Sequence, residues 1–113
     1  MNTFGYKLRE LRRAKEISQR ELADKVGVDF SYISKLENDR LPPPAADTIL
    51  RICSVLEASP DELLAATGKM PSHSKEMLGT STAAQQFVRQ AHDMKLSEDE
   101  WRVLTKRLRR LRS

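Results

Sequence analysis

The stretch that most constrains this chain is residues 18–37, a short helical pattern, a glycine and a second short helical pattern. Leu22, Ala23 and Val26 make an apolar face before Gly27, and Val28, Ile33 and Leu36 make another after it. Two short helices joined by a turn of about three or four residues with Gly cross at a wide angle. Each buries its apolar face, and the outer face of the second is left free. Such a face can enter the major groove of DNA, about 12 Å wide.

The flanking segments extend the helical pattern. Residues 5–15 predict a leading helix with Phe4, Leu8 and Leu11 turned inward. Ser18 followed by Glu21 predicts a capping box at the start of the second helix. Asp29 suits the N-cap of the third, with Val28 stapling it. No helix crosses Pro42, Pro43 and Pro44, because proline lacks the amide donor and restricts the residue before it. A fourth helix follows from Pro44 to about Glu57, with Ile49, Ile52, Cys53 and Leu56 on one face. Ser59, Pro60, Asp61 and Glu62 open a fifth, Leu63 and Leu64 pack it, and Gly68 ends it.

These marks, in this order, resemble the helix-turn-helix of the phage repressor and Cro-like (Xre) family over residues 4–68. The resemblance rests on Leu8, Leu11 and Arg12, the Ser18-Gln19-x-x-Leu22-Ala23 opening, Gly27, Tyr32-Ile33-Ser34-x-Leu36-Glu37-Asn38, then Pro44 and an amphipathic helix. It implies a five-helix domain that binds duplex DNA. It places Phe30, Ser31, Tyr32 and Lys35 on the outward face of the recognition helix, with Ser34 a weaker candidate beside them. It places Gln19, Asn38 and Arg40 at phosphates, and pairs Arg12 with Glu37 inside the domain. By chemistry Lys35 can donate to guanine O6 and N7, Ser31 can serve either base, and Phe30 or Tyr32 can pack on a thymine methyl. Departures stand beside these matches. Ala45 and Ala46 follow the proline where many relatives carry a small polar residue, which removes a side-chain phosphate contact there. The triple proline lengthens the loop near Arg40. Asp29 and Asp39 flank the reading face and would repel phosphates if they pointed at DNA.

Residues 69–80 carry Gly, Pro, Ser and His without clear periodicity and read as a linker. Beyond it, Ala83, Ala84, Phe87, Val88, Ala91 and Met94 recur at helical spacing. Ser97 with Glu98, Asp99 and Glu100 opens another helix, along which Trp101, Leu104, Leu108 and Leu111 form a stripe. Residues 81–113 are too few to hold a core alone. Their stripe must be buried against the first domain or another chain. A homodimer through Phe87, Val88, Ala91, Trp101, Leu104, Leu108 and Leu111 is the expectation.

Charge is divided the same way. Residues 1–69 hold 11 Lys/Arg and 11 Asp/Glu, while residues 70–113 hold 9 and 5 and carry the whole net charge of +4. From Trp101 onward there are six basic residues and no acid. That basic helix reads as a solvated face, an extra phosphate contact or a surface for an acidic protein partner.

Other chemistries find little support. Charged residues make up 32% of the chain and aromatics 5%, which suits a soluble helical protein rather than a β-sandwich. No apolar run nears the ~20 residues that span a bilayer, so no membrane role is expected. No charged run followed by an apolar stretch opens the chain, and the lone cysteine forms no internal disulfide, which points to the cytoplasm. Cys53 falls on the inner stripe of its helix and reads as core rather than redox sensor. His73 and His92 lack neighbours at metal-ligand spacing, so neither metal nor cofactor is expected. No phosphate loop or nucleophile signature is present, and no enzyme is expected.

The expectation is therefore an all-α protein with a five-helix DNA-binding domain (residues 1–68), a linker (69–80) and a C-terminal helical hairpin (81–113). Its function would be sequence-specific transcriptional regulation, as a repressor, from an inverted-repeat operator bound by a homodimer. Two alternatives share the fold: the antitoxin of a toxin–antitoxin pair repressing its own operon, and a protein-interaction adaptor.

Overall fold

The structure, a computed structural model, describes residues 3–113. Among the described residues there are eight α-helices and no strand: α1 Phe4–Ala14, α2 Gln19–Val26, α3 Phe30–Glu37, α4 Ala46–Leu56, α5 Asp61–Thr67, α6 Ser72–Gly79, α7 Thr82–Met94 and α8 Glu98–Arg109. None is long and apolar enough to cross a membrane. The chain divides into two compact units, one ending at Ser74 and the other starting at Lys75.

The first unit holds one core. Phe4 and Leu8 from α1, Leu22, Ala23 and Val26 from α2, Ile33 and Leu36 from α3, Ile49, Ile52, Cys53 and Leu56 from α4 and Leu63 from α5 are all buried together. These are the periodic apolar positions of the sequence, and their burial drives the packing, at roughly 1.5–3 kcal/mol for each large aliphatic side chain. α3 packs on α1 and α2, α4 on α2 and α5, and α5 on α1.

Each helix end has a local cause. Thr3 Oγ1 accepts from the Tyr6 amide at 3.1 Å and caps α1. Ser18 Oγ accepts from the Glu21 amide at 3.0 Å and caps α2. The expected reciprocal arm is missing, because Glu21 turns to Lys25 at 3.3 Å instead. Gly27 ends α2 in the left-handed region at φ 88°, which costs glycine nothing, and its amide closes on the Ala23 carbonyl at 2.8 Å. Asp29 occupies the N-cap of α3 but makes no side-chain capping bond. The Pro42–Pro43–Pro44 loop is held by Lys69, whose Nζ donates to the Pro43 and Pro44 carbonyls at 3.0 Å each.

The segment read as a linker contains α6. Its large apolar residues, Met77 and Leu78, are adjacent rather than at helical spacing, so no apolar period marked it in the sequence. Its first residue is fixed by Asp47 of α4, which accepts from the Ser72 amide at 3.0 Å and from Ser72 Oγ at 2.7 Å.

The second unit is a pair of capped helices. Ser81 Oγ accepts from the Ala84 amide at 3.1 Å to start α7. Ser97 and Glu100 form a complete capping box at α8, with bonds of 3.1 and 3.0 Å. Phe87 and Trp101 meet with ring centroids 6.4 Å apart, tilted by 57°.

Candidate nucleic-acid interface

The α2–α3 pair presents one face to the core and one to solvent. Ile33 and Leu36 turn one side of α3 into the core, and the opposite side faces solvent. Phe30, Ser31 and Lys35 are exposed. Ser34 is half-buried, and Tyr32 is half-buried with its ring against the core. Of the five residues expected to reach bases, three therefore stand free, while Tyr32 is partly spent on packing.

Behind this face lies a polar hub centred on Glu37. Its side chain is fully buried, with 0% exposure, at the end of α3. Arg12 Nε donates to Oε2 at 2.6 Å and Arg12 Nη2 to Oε1 at 2.9 Å. Gln19 Nε2 donates to Oε1 at 2.9 Å, and Arg9 Nε to the same atom at 3.4 Å. Arg12 Nη1 also donates to the Ile17 carbonyl at 2.9 Å. Burial pushes the Glu37 carboxyl up, but hydrogen bonds from Arg12 and Gln19, the Arg12 charge and the Arg9 bond together hold it below the ordinary value. The Arg12 guanidinium is raised, chiefly by its hydrogen bonds to Glu37. The hub thus ties α1, the start of α2 and the end of α3 into one rigid frame. Arg9 was missed in the sequence, although it lies three residues before Arg12 on the same helical face.

Of the residues expected at phosphates, Gln19 and Asn38 are held by this hub. Gln19 gives one amide hydrogen to Glu37 and retains a second donor. Asn38 Oδ1 accepts from Arg9 Nη2 at 2.9 Å, and Asn38 Nδ2 donates to the Ser34 carbonyl at 2.8 Å, again with one N–H to spare. Arg40 is exposed after α3. The amides of Gln19 and Arg20 open α2 without an intrahelical acceptor, and the helix dipole favours an anion there.

The two acids that flank the face behave differently. Asp29 is exposed. Asp39 is turned away from the outward face of α3: it accepts from Thr3 Oγ1 at 2.7 Å and from the Gly5 amide at 2.9 Å, capping α1. Gly5 is required for that approach, since a Cβ there would lie 2.5 Å from the Leu36 carbonyl oxygen and 2.6 Å from that of Glu37. Neither Gly5 nor Asp39 carried a signal in the sequence, because the contact joins residues 34 apart.

Elsewhere, Cys53 is buried, and burial pushes its thiol up, away from the reactive thiolate. Among the described residues no group of three His, Cys, Asp or Glu could hold a metal.

Within the second unit the expected dimer residues divide. Ala91 is buried inside its own hairpin and Leu104 is half-buried, so Ala91 offers nothing to another chain. Phe87, Val88, Trp101, Leu108 and Leu111 are exposed. A groove of about 520 Å³ runs between α7 and α8, lined by Ala84, Phe87, Trp101, Leu104, Leu108 and Leu111 with Leu78. In the basic helix Arg102 pairs with Asp99 at 2.9 Å and Glu98 at 3.9 Å, whereas Lys106, Arg107, Arg109, Arg110 and Arg112 are exposed.

The chain is similar to known proteins. A family model described as helix-turn-helix matches residues 8–63. The uncharacterised HTH-type transcriptional regulator RghRB of Bacillus subtilis (strain 168) is 35% identical over 85 residues, 75% of this chain and 61% of that protein. The match therefore spans less than two thirds of that relative's length. Among solved structures, the P22 c2 repressor protein in complex with a synthetic operator superposes with a TM-score of 0.52 at 30% identity, over 58% of this chain and 98% of that one. The SinR protein/SinI protein complex gives 0.53 at 25% identity, over 95% of each chain.

Proposed function

The chain belongs to the phage-repressor-like (Xre) helix-turn-helix family of transcriptional regulators, and on that premise we propose that it represses transcription by occupying an inverted-repeat operator as a homodimer. The observation that carries this reading is the outward face of α3, where Phe30, Ser31 and Lys35 are exposed while the opposite face is locked in the core. Lys35 reads a base, and the spare donors of Gln19 and Asn38 with Arg40 grip phosphates on either side. The Glu37 hub holds Gln19 and Asn38 in place, so little side-chain entropy is lost at those two contacts. One domain reads only a few base pairs, so a two-fold dimer is needed for useful specificity. The exposed apolar residues of α7 and α8 supply it. The protein works in the cytoplasm, as a binding protein without a catalytic step.

A second reading has one observation in its favour. The same apolar hairpin, with five exposed basic residues on and just after the end of α8, suits a helical partner with acidic edges, which would compete with the dimer. A toxin neutralised by this chain is one such partner.

Selection of genomic duplexes by the full chain, followed by titration at rising salt, tests the main reading. The recovered sites should share a two-fold motif, and affinity should fall steeply with salt. Failure to retain any duplex at low salt would leave an adaptor as the function.

A further inference from the structure

We propose that Arg20, lying over the Phe30 ring, is a second specificity determinant that reads a guanine in addition to the base read by Lys35. The proposal deepens the DNA-binding reading above and rests on it. Arg20 is the second residue of α2 and Phe30 the first of α3, and both are exposed. The Arg20 guanidinium carbon lies 4.5 Å from the centroid of the Phe30 ring. A contact this close is a stacking contact between the cation and the ring face.

Three features make this pair more than packing. Arg9 and Arg12 are consumed by Glu37, yet among the described residues no carboxylate lies within ion-pair distance of Arg20. Its donors are therefore uncommitted. A cation–π contact engages the charge rather than the N–H donors, so the fork stays available for hydrogen bonds. The fork is also held in place before any ligand arrives, which removes much of the entropy cost of a long side chain. Finally, the first residues of a recognition helix are those that meet base edges in the major groove. A planar fork held there matches the O6 and N7 acceptors of guanine, which an ammonium cannot match in two-point geometry. Phe30 then serves as a platform for Arg20 rather than as a contact to a thymine methyl.

The test uses the full chain and a duplex recovered by it from a pool of randomised duplexes, together with every single-base-pair variant of that duplex. Wild type should prefer G·C at one position by about tenfold or more, the size of a lost two-point contact. Arg20→Ala and Arg20→Lys should both erase that preference and leave the other positions unchanged. Phe30→Leu should erase most of it, and the double variant Phe30→Leu/Arg20→Ala should bind no worse than Arg20→Ala alone. Retention of the preference by Arg20→Lys overturns the proposal, because charge alone would then suffice. Equal weakening on all variants, with a shallower salt slope, also overturns it and makes Arg20 a phosphate contact. An unchanged profile in Arg20→Ala reduces the pair to packing of α2 on α3. If wild type recovers no duplex, this proposal falls together with the reading beneath it, whereas a recovered duplex with an Arg20-independent profile sinks this proposal alone.

Discussion

Glu37 is the residue on which the first unit most depends. A carboxylate with no exposed surface survives there because Arg9, Arg12 and Gln19 meet its oxygens. Removing its charge strands two guanidiniums, of which Arg12 keeps 12% side-chain exposure and Arg9 31%. Partial access to water softens the loss, so Glu37→Gln should cost about 3 kcal/mol, the low end for a broken buried pair. Urea denaturation measures it, and a cost within about 0.5 kcal/mol would mark the hub as dispensable. The pH dependence has a definite sign. The folded carboxyl titrates below its unfolded value of about 4.3, so its stabilisation is complete above that value. It is lost as pH falls through the lower folded value. The urea midpoint of wild type should thus drop below about pH 4, and Glu37→Gln should flatten that drop. Glu57, whose carboxyl is held down by its bond from Lys15, moves stability the same way. It is exposed, however, so added salt should remove its share and leave that of Glu37.

At the scale of elements, the decisive contacts are where helices cross. α1 meets the end of α3 at Gly5, with no room for a methyl group between backbones. Gly5→Ala must push the two helices apart and disturb both the Asp39 cap and the Glu37 hub. A loss of about 1–3 kcal/mol is expected, as for other overpacked sites. A thermal melt unchanged by this substitution would show that the crossing can slide. The α2–α3 pair makes a different demand. Lys35 projects from α3 without touching the hub, whereas Gln19 is part of it. Lys35→Ala should relax preference at one base pair, at about 1–3 kcal/mol, and spare stability. Gln19→Ala should weaken all sequences alike and also lower the urea midpoint. Binding profiles over single-base variants separate the two. Uniform weakening by Lys35→Ala would refute its role as a base reader.

At the scale of the molecule, the two units have opposite needs. The first buries most of its large aliphatic side chains in its own core. The second leaves Leu108 63% and Leu111 76% exposed, with Phe87, Val88 and Trp101 also open to solvent. A contiguous apolar surface of this kind marks an interaction site. Leu108→Glu/Leu111→Glu should hardly change the stability of the chain, since both positions are surface ones. It should turn a dimer into a monomer by sedimentation, and operator affinity should fall sharply with it. A variant that sediments as a dimer places the interface elsewhere. The basic residues of α8 do not prevent such pairing if an antiparallel partner sets its Glu98, Asp99 and Glu100 beside them.

The sequence alone determined the helices that have a buried face. Leu22, Ala23, Val26, Ile33, Leu36, Ile49, Ile52 and Leu56 declare themselves by spacing, and Ser18, Gly27, Gly68 and Ser97 by the backbone needs of helix ends. These signals are local: each lies within a turn or two of the residue it explains. The pairing of Arg12 with Glu37 came through resemblance, since nothing in the spacing joins them. The tertiary structure decided what no short window contains. α6 has only Met77 and Leu78 as large apolar residues, adjacent rather than at helical spacing, and so has no period to read. Glu37 recruits Arg9 and Gln19 from 28 and 18 residues away. Asp39 turns to the start of α1, and Arg20 lies over Phe30 across the helix-turn-helix. Polar side chains carry no periodic signature, and any of several partners would satisfy them. Which one they meet is settled only when apolar burial has brought the helices together.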